Sequence, residues 1–178
     1  MIIKKFKIEG SYIFEVEKFQ DKRGFFARTW DKQKLRSAGI NSNLVHCNIS
    51  FSYKKGTFHG LHYQISPLQE EKLVRCVRGE IFDVIVDLRK KSKTFKKWAG
   101  LKMTQENHKS LFVPKGCAHG FVTLKNNTEV FYQNTQKFNS AYERGIRWND
   151  PFFSIKWPIK PKMVSDKDNS WKDFSINF

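Results

Sequence analysis

Cysteine is scarce in this sequence, and its thiols are not arranged as a disulfide framework or a zinc site. Cys47, Cys76 and Cys117 are odd in number, lie far apart and include no Cys-x-x-Cys pair. Long apolar runs are also missing, since none approaches the roughly 18 residues of a membrane-spanning helix. The N-terminal residues lack the basic, apolar and small-residue order of a signal peptide. These absences favour a cytoplasmic protein with reduced thiols.

Acidic residues are few, with 17 Asp and Glu against 33 Lys and Arg, and the formal net charge is +16. Such a charge attracts anionic partners, whether nucleic acid, phosphorylated metabolites or an acidic membrane surface. The lysines are scattered, however, and the densest group, within residues 90–97, has the composition of a solvated loop. We therefore interpret the bulk charge as surface composition and predict neither a nucleic-acid partner nor a membrane partner.

Repeats, low-complexity tracts and linkers rich in Pro, Gly or Ser are absent from the 178 residues. Aromatic residues make up 15% of the chain, which argues against disorder despite a mean hydropathy of -0.59. A chain of this length can bury a sizeable core. We expect one domain that covers residues 1–178.

Short runs with alternating apolar and polar residues dominate the chain and predict strands. The predicted strands cover residues 11–18, 25–30, 43–50, 58–64, 71–78, 81–88, 96–104, 110–113, 120–124 and 130–135. Asp31 has the position of an N-cap for one short helix through Arg36, which Gly39 ends. Many short strands at roughly ten-residue spacing indicate an antiparallel sandwich or barrel, for which a jelly roll is typical.

Turn residues predict two tight hairpins and an unusual C-terminal segment. Arg78-Gly79-Glu80 and residues 125–128 have the composition of hairpin turns between consecutive strands. The tail carries Pro151, Pro158 and Pro161, a pattern that predicts an extended arm wrapping the body and ending near residues 164–168.

Two of the five histidines, His59 and His62, fall on the predicted strand over residues 58–64. Side chains three positions apart on a regular strand point to opposite faces, so we expect only one of them to face the interior. A Pro-x-Gly-x-x-His turn, residues 114–119, resembles the second motif of the cupin superfamily, many of whose members bind a metal through a His-x-His pair, a Glu and this later His. No His-x-His pair exists here, so we predict no metal, and His119 is either a buried structural histidine or a substrate contact.

Ten short motifs occur in one order between residues 10 and 168. They are Asp21–Phe26, Asn48–Ser50, Gly60–Gln64, Lys72–Cys76, Gly79–Val84, Asp87–Arg89, Ser92–Phe95, Pro114–Phe121, Trp148–Asp150 and Ser165–Asp168. Together they resemble the dTDP-4-dehydrorhamnose 3,5-epimerase family. The resemblance implies an all-β, cupin-type antiparallel jelly-roll barrel with one or two short helices and an extended C-terminal arm. It also implies a homodimer without metal or cofactor.

The same resemblance implies an enzyme that inverts carbons beside the ketone of a nucleotide-diphospho-4-keto-6-deoxy sugar, in activated deoxysugar biosynthesis for surface polysaccharides. Its catalytic positions fall on His62 as base, Asp168 as the residue that orients it, Lys72 and, as acid, Tyr132. Its substrate-binding positions fall on Arg23, Phe26, Arg28, Asn48, His59, Gln64, His119 and Phe138. Arg23 is the residue expected to reach the diphosphate.

The chemistry requires these residue types. A proton beside a ketone is weakly acidic, so a base such as His62 must remove it while a cation such as Lys72 stabilises the enolate. A carboxylate such as Asp168 fixes the histidine tautomer and stabilises the imidazolium. Inversion then requires a proton donor on the opposite face, which the phenol of Tyr132 can supply. The ketone itself acidifies the C–H bond, so no cofactor is needed.

Several positions depart from the family pattern. His59 stands where an arginine that grips the diphosphate is usual, Arg28 where a glutamate is usual, Phe138 where a second tyrosine is usual, and His46 where a glutamine is frequent. The nucleotide, the sugar and the choice of C3, C5 or both therefore stay open. The alternatives are a C3-only or C5-only epimerase on a non-thymidine nucleotide sugar, and a non-catalytic cupin that binds nucleotide sugars.

Overall fold

Thirteen β-strands carry most of the regular structure in the computed structural model, which describes residues 1–175. They are β1 (Ile2–Lys5), β2 (Tyr12–Glu15), β3 (Lys18–Asp21), β4 (Gly24–Ala27), β5 (His46–Ser52), β6 (Phe58–Gln64), β7 (Lys72–Arg78), β8 (Glu80–Asp87), β9 (Trp98–Thr104), β10 (Ser110–Val113), β11 (Cys117–Thr123), β12 (Thr128–Asn134) and β13 (Glu143–Gly145). The predicted strand over residues 11–18 is divided between β2 and β3, and most other predictions differ only at the ends.

Two antiparallel sheets pack face to face. The first has the order β1-β2-β10-β7-β12-β5 and the second has the order β13-β6-β11-β8-β9, while β3 and β4 form a separate hairpin. Buried aliphatic side chains from both sheets fill the space between them, among them Val74, Ile81, Ile85, Leu111 and Val130. This arrangement confirms the predicted all-β jelly roll.

Both predicted hairpins are wrong, because the turns join strands of different sheets. The turn at Gly79 leads from β7 in the first sheet to β8 in the second, and residues 125–127 lead from β11 back to β12. Gly79 has a φ of +79°, and a Cβ there would lie 2.5 Å from Oγ1 of Thr128. The two corner turns therefore pack against each other, and glycine is required for this approach.

The helices are short. Helix α1 (Lys32–Ser37) starts where predicted, with the Asp31 carboxylate accepting the backbone N–H of Lys34 at 3.0 Å. The C-terminal arm does not stay extended to its end, because α2 (Asp166–Asn169) begins after the N-cap Ser165. Among residues 1–175, no helix is long and apolar enough to cross a membrane.

Candidate active site

The strand registers direct a set of polar side chains into the space between the sheets. In the first sheet Lys72 lies opposite Asn134 and Val74 lies opposite Tyr132, so Lys72 and Tyr132 share a face. Asn48 of β5 lies opposite Tyr132 and joins the same face. Asn48, Lys72, Tyr132 and Asn134 line a cavity of about 380 Å³.

The expectation that His59 and His62 face opposite ways is wrong. In the pairing of β6 with β11, His62 lies opposite His119 and His59 lies opposite Phe121, so three steps on one strand match two on the other. This β-bulge adds one residue to β6 and turns both histidines to the same face. Gly60, inside the bulge, has a φ of +120°, which only glycine adopts readily. His59, His62 and His119 consequently line one inner cavity of about 210 Å³.

The imidazole of His62 lies against the carboxylate of Asp168, with 2.5 Å between Nε2 and Oδ1. Asp168 is 4% exposed, and its other oxygen accepts the backbone N–H of Gly60 at 3.3 Å. Burial alone would raise the pKa of Asp168, but hydrogen bonding and the charge of His62 outweigh it, and the pKa is lowered. An ionised Asp168 requires Nε2–H of His62 as its donor, which leaves Nδ1 as the basic nitrogen.

Helix α2 is the element that brings Asp168 to His62 from far along the chain. Ser165 caps it by accepting the backbone N–H of Asp168 at 3.1 Å. The neighbouring Lys167 contacts Glu143 of β13, with Nζ at 2.9 and 2.8 Å from the two carboxylate oxygens. Oε1 of Glu143 lies 3.8 Å from Nδ1 of His62. Glu143 and Lys167 both line the larger cavity. Neither was predicted as a site residue, although Lys167 lies within the motif Ser165–Asp168.

Lys72 is partly buried, and its ammonium pairs with Oε1 of Glu70 at 3.1 Å. Asp83, on the following strand β8, is not the ion-pair partner of Lys72. Asp83 is fully buried and instead contacts Nε2 of His119, at 2.8 Å from Oδ1 and 3.0 Å from Oδ2. Burial raises the pKa of Asp83, and the charge of His119 partly offsets this effect.

Tyr132 occupies the wall shared by the two cavities, together with His62 and Lys72. Burial, and then the negative charge of Glu70, raise the pKa of its phenol. The hydroxyl is therefore held in the protonated form that a proton donor requires.

His59 lines the smaller cavity and not the larger one. Its Nε2 is 2.9 Å from Oγ of Ser52, and its ring packs on Phe121 with the ring centres 5.0 Å apart. Burial lowers its pKa, and the charge of Asp168 offsets part of this effect. His59 is therefore a neutral polar group at pH 7, where an arginine would carry a permanent charge.

The other predicted binding residues fall into two groups. Asn48, Gln64 and Phe138 line the larger cavity. The Gln64 amide is engaged by backbone groups, since Nε2 donates to the carbonyls of Leu68 at 3.0 Å and Lys137 at 3.1 Å. Its carbonyl oxygen accepts the N–H of Asn139 at 2.7 Å. Gln64 thus holds the two loops beside the cavity, one of which carries Phe138.

The second group lies on or beside the β3–β4 hairpin, away from the cavity. The side chain of Arg23 is 85% exposed and pairs with Asp21 at 2.6 Å. Phe26 is 65% exposed, and Arg28 pairs with Asp31 at 3.3 Å. Arg23, Phe26 and Arg28 line neither of the cavities around His62.

No group of three or more His, Cys, Asp or Glu side chains within residues 1–175 is arranged to hold a metal ion. The cavity instead combines a histidine–carboxylate pair, an ammonium and a phenol. Such a set can remove a proton, stabilise a developing oxyanion and return a proton.

The family model described as dTDP-4-dehydrorhamnose 3,5-epimerase matches residues 5–175. The chain belongs to this family. It is 42% identical, over 98% of its length and 96% of the relative's, to the dTDP-4-dehydrorhamnose 3,5-epimerase of Shigella flexneri. The Bacillus anthracis enzyme with TDP and PPi bound superimposes with a TM-score of 0.93 at 38% identity, covering 97% of this chain and 99% of the other. The Legionella pneumophila enzyme in complex with dTDP-4-keto-L-rhamnose superimposes with a TM-score of 0.89 at 36% identity, covering 97% of this chain and 92% of the other.

Membership of the dTDP-4-dehydrorhamnose 3,5-epimerase family makes the chain an isomerase that acts on carbohydrates, and it confirms the resemblance drawn from the ten motifs. Within this family member, the residues at the four predicted catalytic positions surround one space. Three of them, His62, Lys72 and Tyr132, line the larger cavity, and the carboxylate of Asp168 contacts Nε2 of His62. Their individual roles remain predictions.

Proposed function

We propose that this chain inverts both C3 and C5 of a dTDP-linked 4-keto-6-deoxy sugar through enolate intermediates. The observation that carries the proposal is the pair formed by His62 and Asp168 at the wall of a cavity that also holds Lys72 and Tyr132. The thymidine nucleotide is supported by the Bacillus anthracis relative with TDP bound, and the sugar by the Legionella pneumophila relative with dTDP-4-keto-L-rhamnose bound.

His62 acts as the base. Its Nδ1 takes the proton from the carbon beside the ketone. The electron pair of the C–H bond forms the C=C bond of the enolate, and the π pair of the C=O bond moves onto the ketone oxygen. Asp168 holds Nε2–H of the ring and stabilises the imidazolium that forms, because a buried carboxylate offsets the new positive charge. The proton then leaves His62 for solvent.

Lys72 stabilises the enolate. Its ammonium is fixed in the cavity before substrate binds, so little reorganisation is needed when the oxygen becomes negative. Tyr132 then donates its phenolic proton to the opposite face of the carbon and is reprotonated by solvent. The ketone acidifies the C–H bond, so the reaction needs no cofactor.

A homodimer accounts for the residues that lie outside the cavity. The exposed side chains of the β3–β4 hairpin include Phe19, Phe25 and Phe26, at 69%, 46% and 65% exposure. The edge strand β5 presents an outer face with Ile49 at 65%, and Tyr53 just beyond the strand is 74% exposed. Exposed aromatic groups and an uncovered sheet edge are typical of an interface. In this proposal the hairpin of one copy brings Arg23, Phe26 and Arg28 to the cavity of the other.

Mixing two defective variants tests the dimer. Arg23→Ala and His62→Asn should each be nearly inactive, and a refolded equimolar mixture should recover about a quarter of wild-type activity, because one heterodimer site is intact. No recovery in a mixture whose heterodimers are verified would place Arg23 in its own copy's site or outside both.

Cellular context follows from the same proposal. Cys47, Cys76 and Cys117 are all free thiols, which supports a cytoplasmic location. Strands between residues 2 and 145 form the two sheets, and Asp168 of α2 contacts His62 of β6, which supports one domain over residues 1–178. The product would serve the synthesis of surface polysaccharides.

A substrate panel tests the reaction itself. The protein is incubated in D2O with 4-keto-6-deoxy sugars linked to dTDP, CDP, GDP or UDP, and NMR follows deuterium at each carbon. We expect exchange at C3 and C5 of the dTDP sugar. Exchange at one carbon only would make the enzyme a monoepimerase, and binding without exchange on any member would support a non-catalytic cupin.

A further inference from the structure

Glu70 is a buried carboxylate in the wall of the cavity, and the reaction described above does not use it. It lies two residues before β7, and its side chain is only 7% exposed. Its Oε1 is 3.1 Å from Nζ of Lys72, and its Oε2 accepts Nδ2–H of Asn134 at 2.5 Å. Glu70, Lys72 and Tyr132 line the same cavity of about 380 Å³. A carboxylate with so little exposure to water needs hydrogen-bonding or ionic partners, and each oxygen of Glu70 has one.

The contacts of Glu70 extend across the first sheet. Asn134, which donates to Glu70, also accepts Nδ2–H of Asn48 at 3.3 Å through its own side-chain oxygen. Lys72 and Asn134 are register partners on β7 and β12. The carboxylate thus joins the ammonium of one strand to the amides of two others, and this network fixes where the ammonium points.

The adjacent residue Glu71 has different surroundings. Its Oε2 accepts Nδ2–H of Asn41 at 2.8 Å, and its backbone N–H donates to Oγ1 of Thr135 at 2.9 Å. Glu71 lines neither cavity around His62. Two consecutive glutamates therefore differ in one respect that matters for catalysis, because only Glu70 contacts the ammonium.

We propose that Glu70 is a positioning residue for the epimerisation, one that orients the Lys72 ammonium toward the substrate ketone and places a fixed negative charge beside the Tyr132 phenol. The inference rests on the proposed function, since it assigns work to Lys72 and Tyr132. It gives a reason for a buried carboxylate close to a group that must stabilise an anion.

Charge balance in the cavity explains why such a carboxylate is useful. Lys72, and His62 once it has taken a proton, are positive and favour the phenolate of Tyr132, which cannot donate a proton. The charge of Glu70 acts in the opposite direction and raises the pKa of Tyr132, after the larger effect of burial. The other titratable groups around this space are His46, His59, Tyr63, His119, Asp83, Glu143, Lys167 and Asp168.

Replacing Glu70 by Gln tests the inference while preserving shape. A glutamine oxygen can still accept the Asn134 hydrogen bond, so the fold should be kept, and a thermal melt of each variant verifies this. We expect kcat to fall by about tenfold while KM changes less than about twofold, since the effect is on the transition state. The pH at which kcat declines on the alkaline side should move lower, because the pKa of Tyr132 falls when the negative charge is removed.

Glu71→Gln is the matched control and should keep the wild-type kcat and pH profile. A folded Glu70→Gln variant with wild-type kcat and an unmoved alkaline limb would overturn the inference while leaving the proposed function intact. Equal losses in both variants would also overturn it, because they would point to a structural effect of the segment. Absence of exchange in the wild type on every sugar of the panel would instead refute the proposed function.

Discussion

Gly60 and Gly120 face each other across β6 and β11, so closely that a Cβ on Gly60 would lie 2.6 Å from the Cα of Gly120. This contact lies in the bulge that turns His59 and His62 to the same face. The catalytic geometry therefore depends on two residues that have no side chain.

Replacing Gly60 by Ala should cost at least about 3 kcal/mol of unfolding free energy, because it combines a positive φ with a backbone clash. Gly39 also has a positive φ, +71°, but nothing lies within 4 Å of a Cβ there, so Gly39→Ala is the matched control. That control should cost about 1 kcal/mol. Urea unfolding measures both, and equal losses would contradict the account of the bulge.

Asp168→Asn should lower kcat by about 100-fold or more, because an amide cannot stabilise the imidazolium and favours the wrong tautomer of His62. Affinity for dTDP should change little. Asp166→Asn, which alters an exposed carboxylate on the same helix, is the control and should keep wild-type activity. Steady-state kinetics measures kcat for each variant. A folded Asp168→Asn variant with nearly full kcat would show that Asp168 does not orient His62 or stabilise its imidazolium.

Tyr132→Phe should separate the two proton transfers. The base still removes the proton, so deuterium enters the recovered substrate, while net inversion falls by about 100-fold or more for lack of a donor. Tyr12→Phe is a suitable control, because Tyr12 packs on Phe112 in a core cluster away from the cavity. NMR in D2O reports exchange and inversion together. A parallel loss of both in a folded variant would mean that Tyr132 serves proton abstraction.

His59→Gln should make stability less sensitive to acid. The folded-state pKa of His59 lies below its ordinary value of 6.5, so the unfolded chain binds the proton more tightly. Well above pH 6.5, His59 is neutral in both states and its protonation does not affect stability. As pH falls below that value, the unfolded chain takes up the proton first, so the free energy of unfolding decreases. Urea unfolding at about pH 7.5 and about pH 5.5 measures the difference. A variant that loses as much stability as the wild type would contradict a buried, neutral His59.

Much of the fold could be predicted from local patterns. Alternation identified β6 and β10 to the residue, and Asp31 marked the start of α1. The corner turns at Gly79 and at residues 125–127 could not be assigned, because turn residues specify a change of direction and not the sheet that the next strand joins. The expectation that His59 and His62 point to opposite faces failed for a similar reason. An extra residue in β6 is a property of its pairing with β11 and cannot be seen in the sequence of β6 alone.

The candidate site likewise contains residues that the sequence predicted and residues that only the structure identified. The family resemblance indicated His62, Lys72, Tyr132 and Asp168 from the sequence, although Tyr132 lies outside the ten motifs. Glu70 and Glu143 lie outside every motif, because their importance comes from contacts with Lys72 and His62 that only the packed strands create. Lys167 lies within the motif Ser165–Asp168, but its pairing with Glu143 could not be predicted from the sequence. For Arg23 the sequence suggested a ligand contact, whereas a single copy leaves it exposed.

The central claim is that His62 removes a proton from the carbon beside the ketone. The most direct test incubates wild type and His62→Asn in D2O with the dTDP-linked 4-keto-6-deoxy sugar and follows deuterium by NMR. The account predicts entry at C3 and C5 with the wild type and a loss of about 100-fold or more at both carbons in the variant. Binding of dTDP should be retained by the variant. Exchange at the wild-type rate in a folded His62→Asn enzyme would contradict the account.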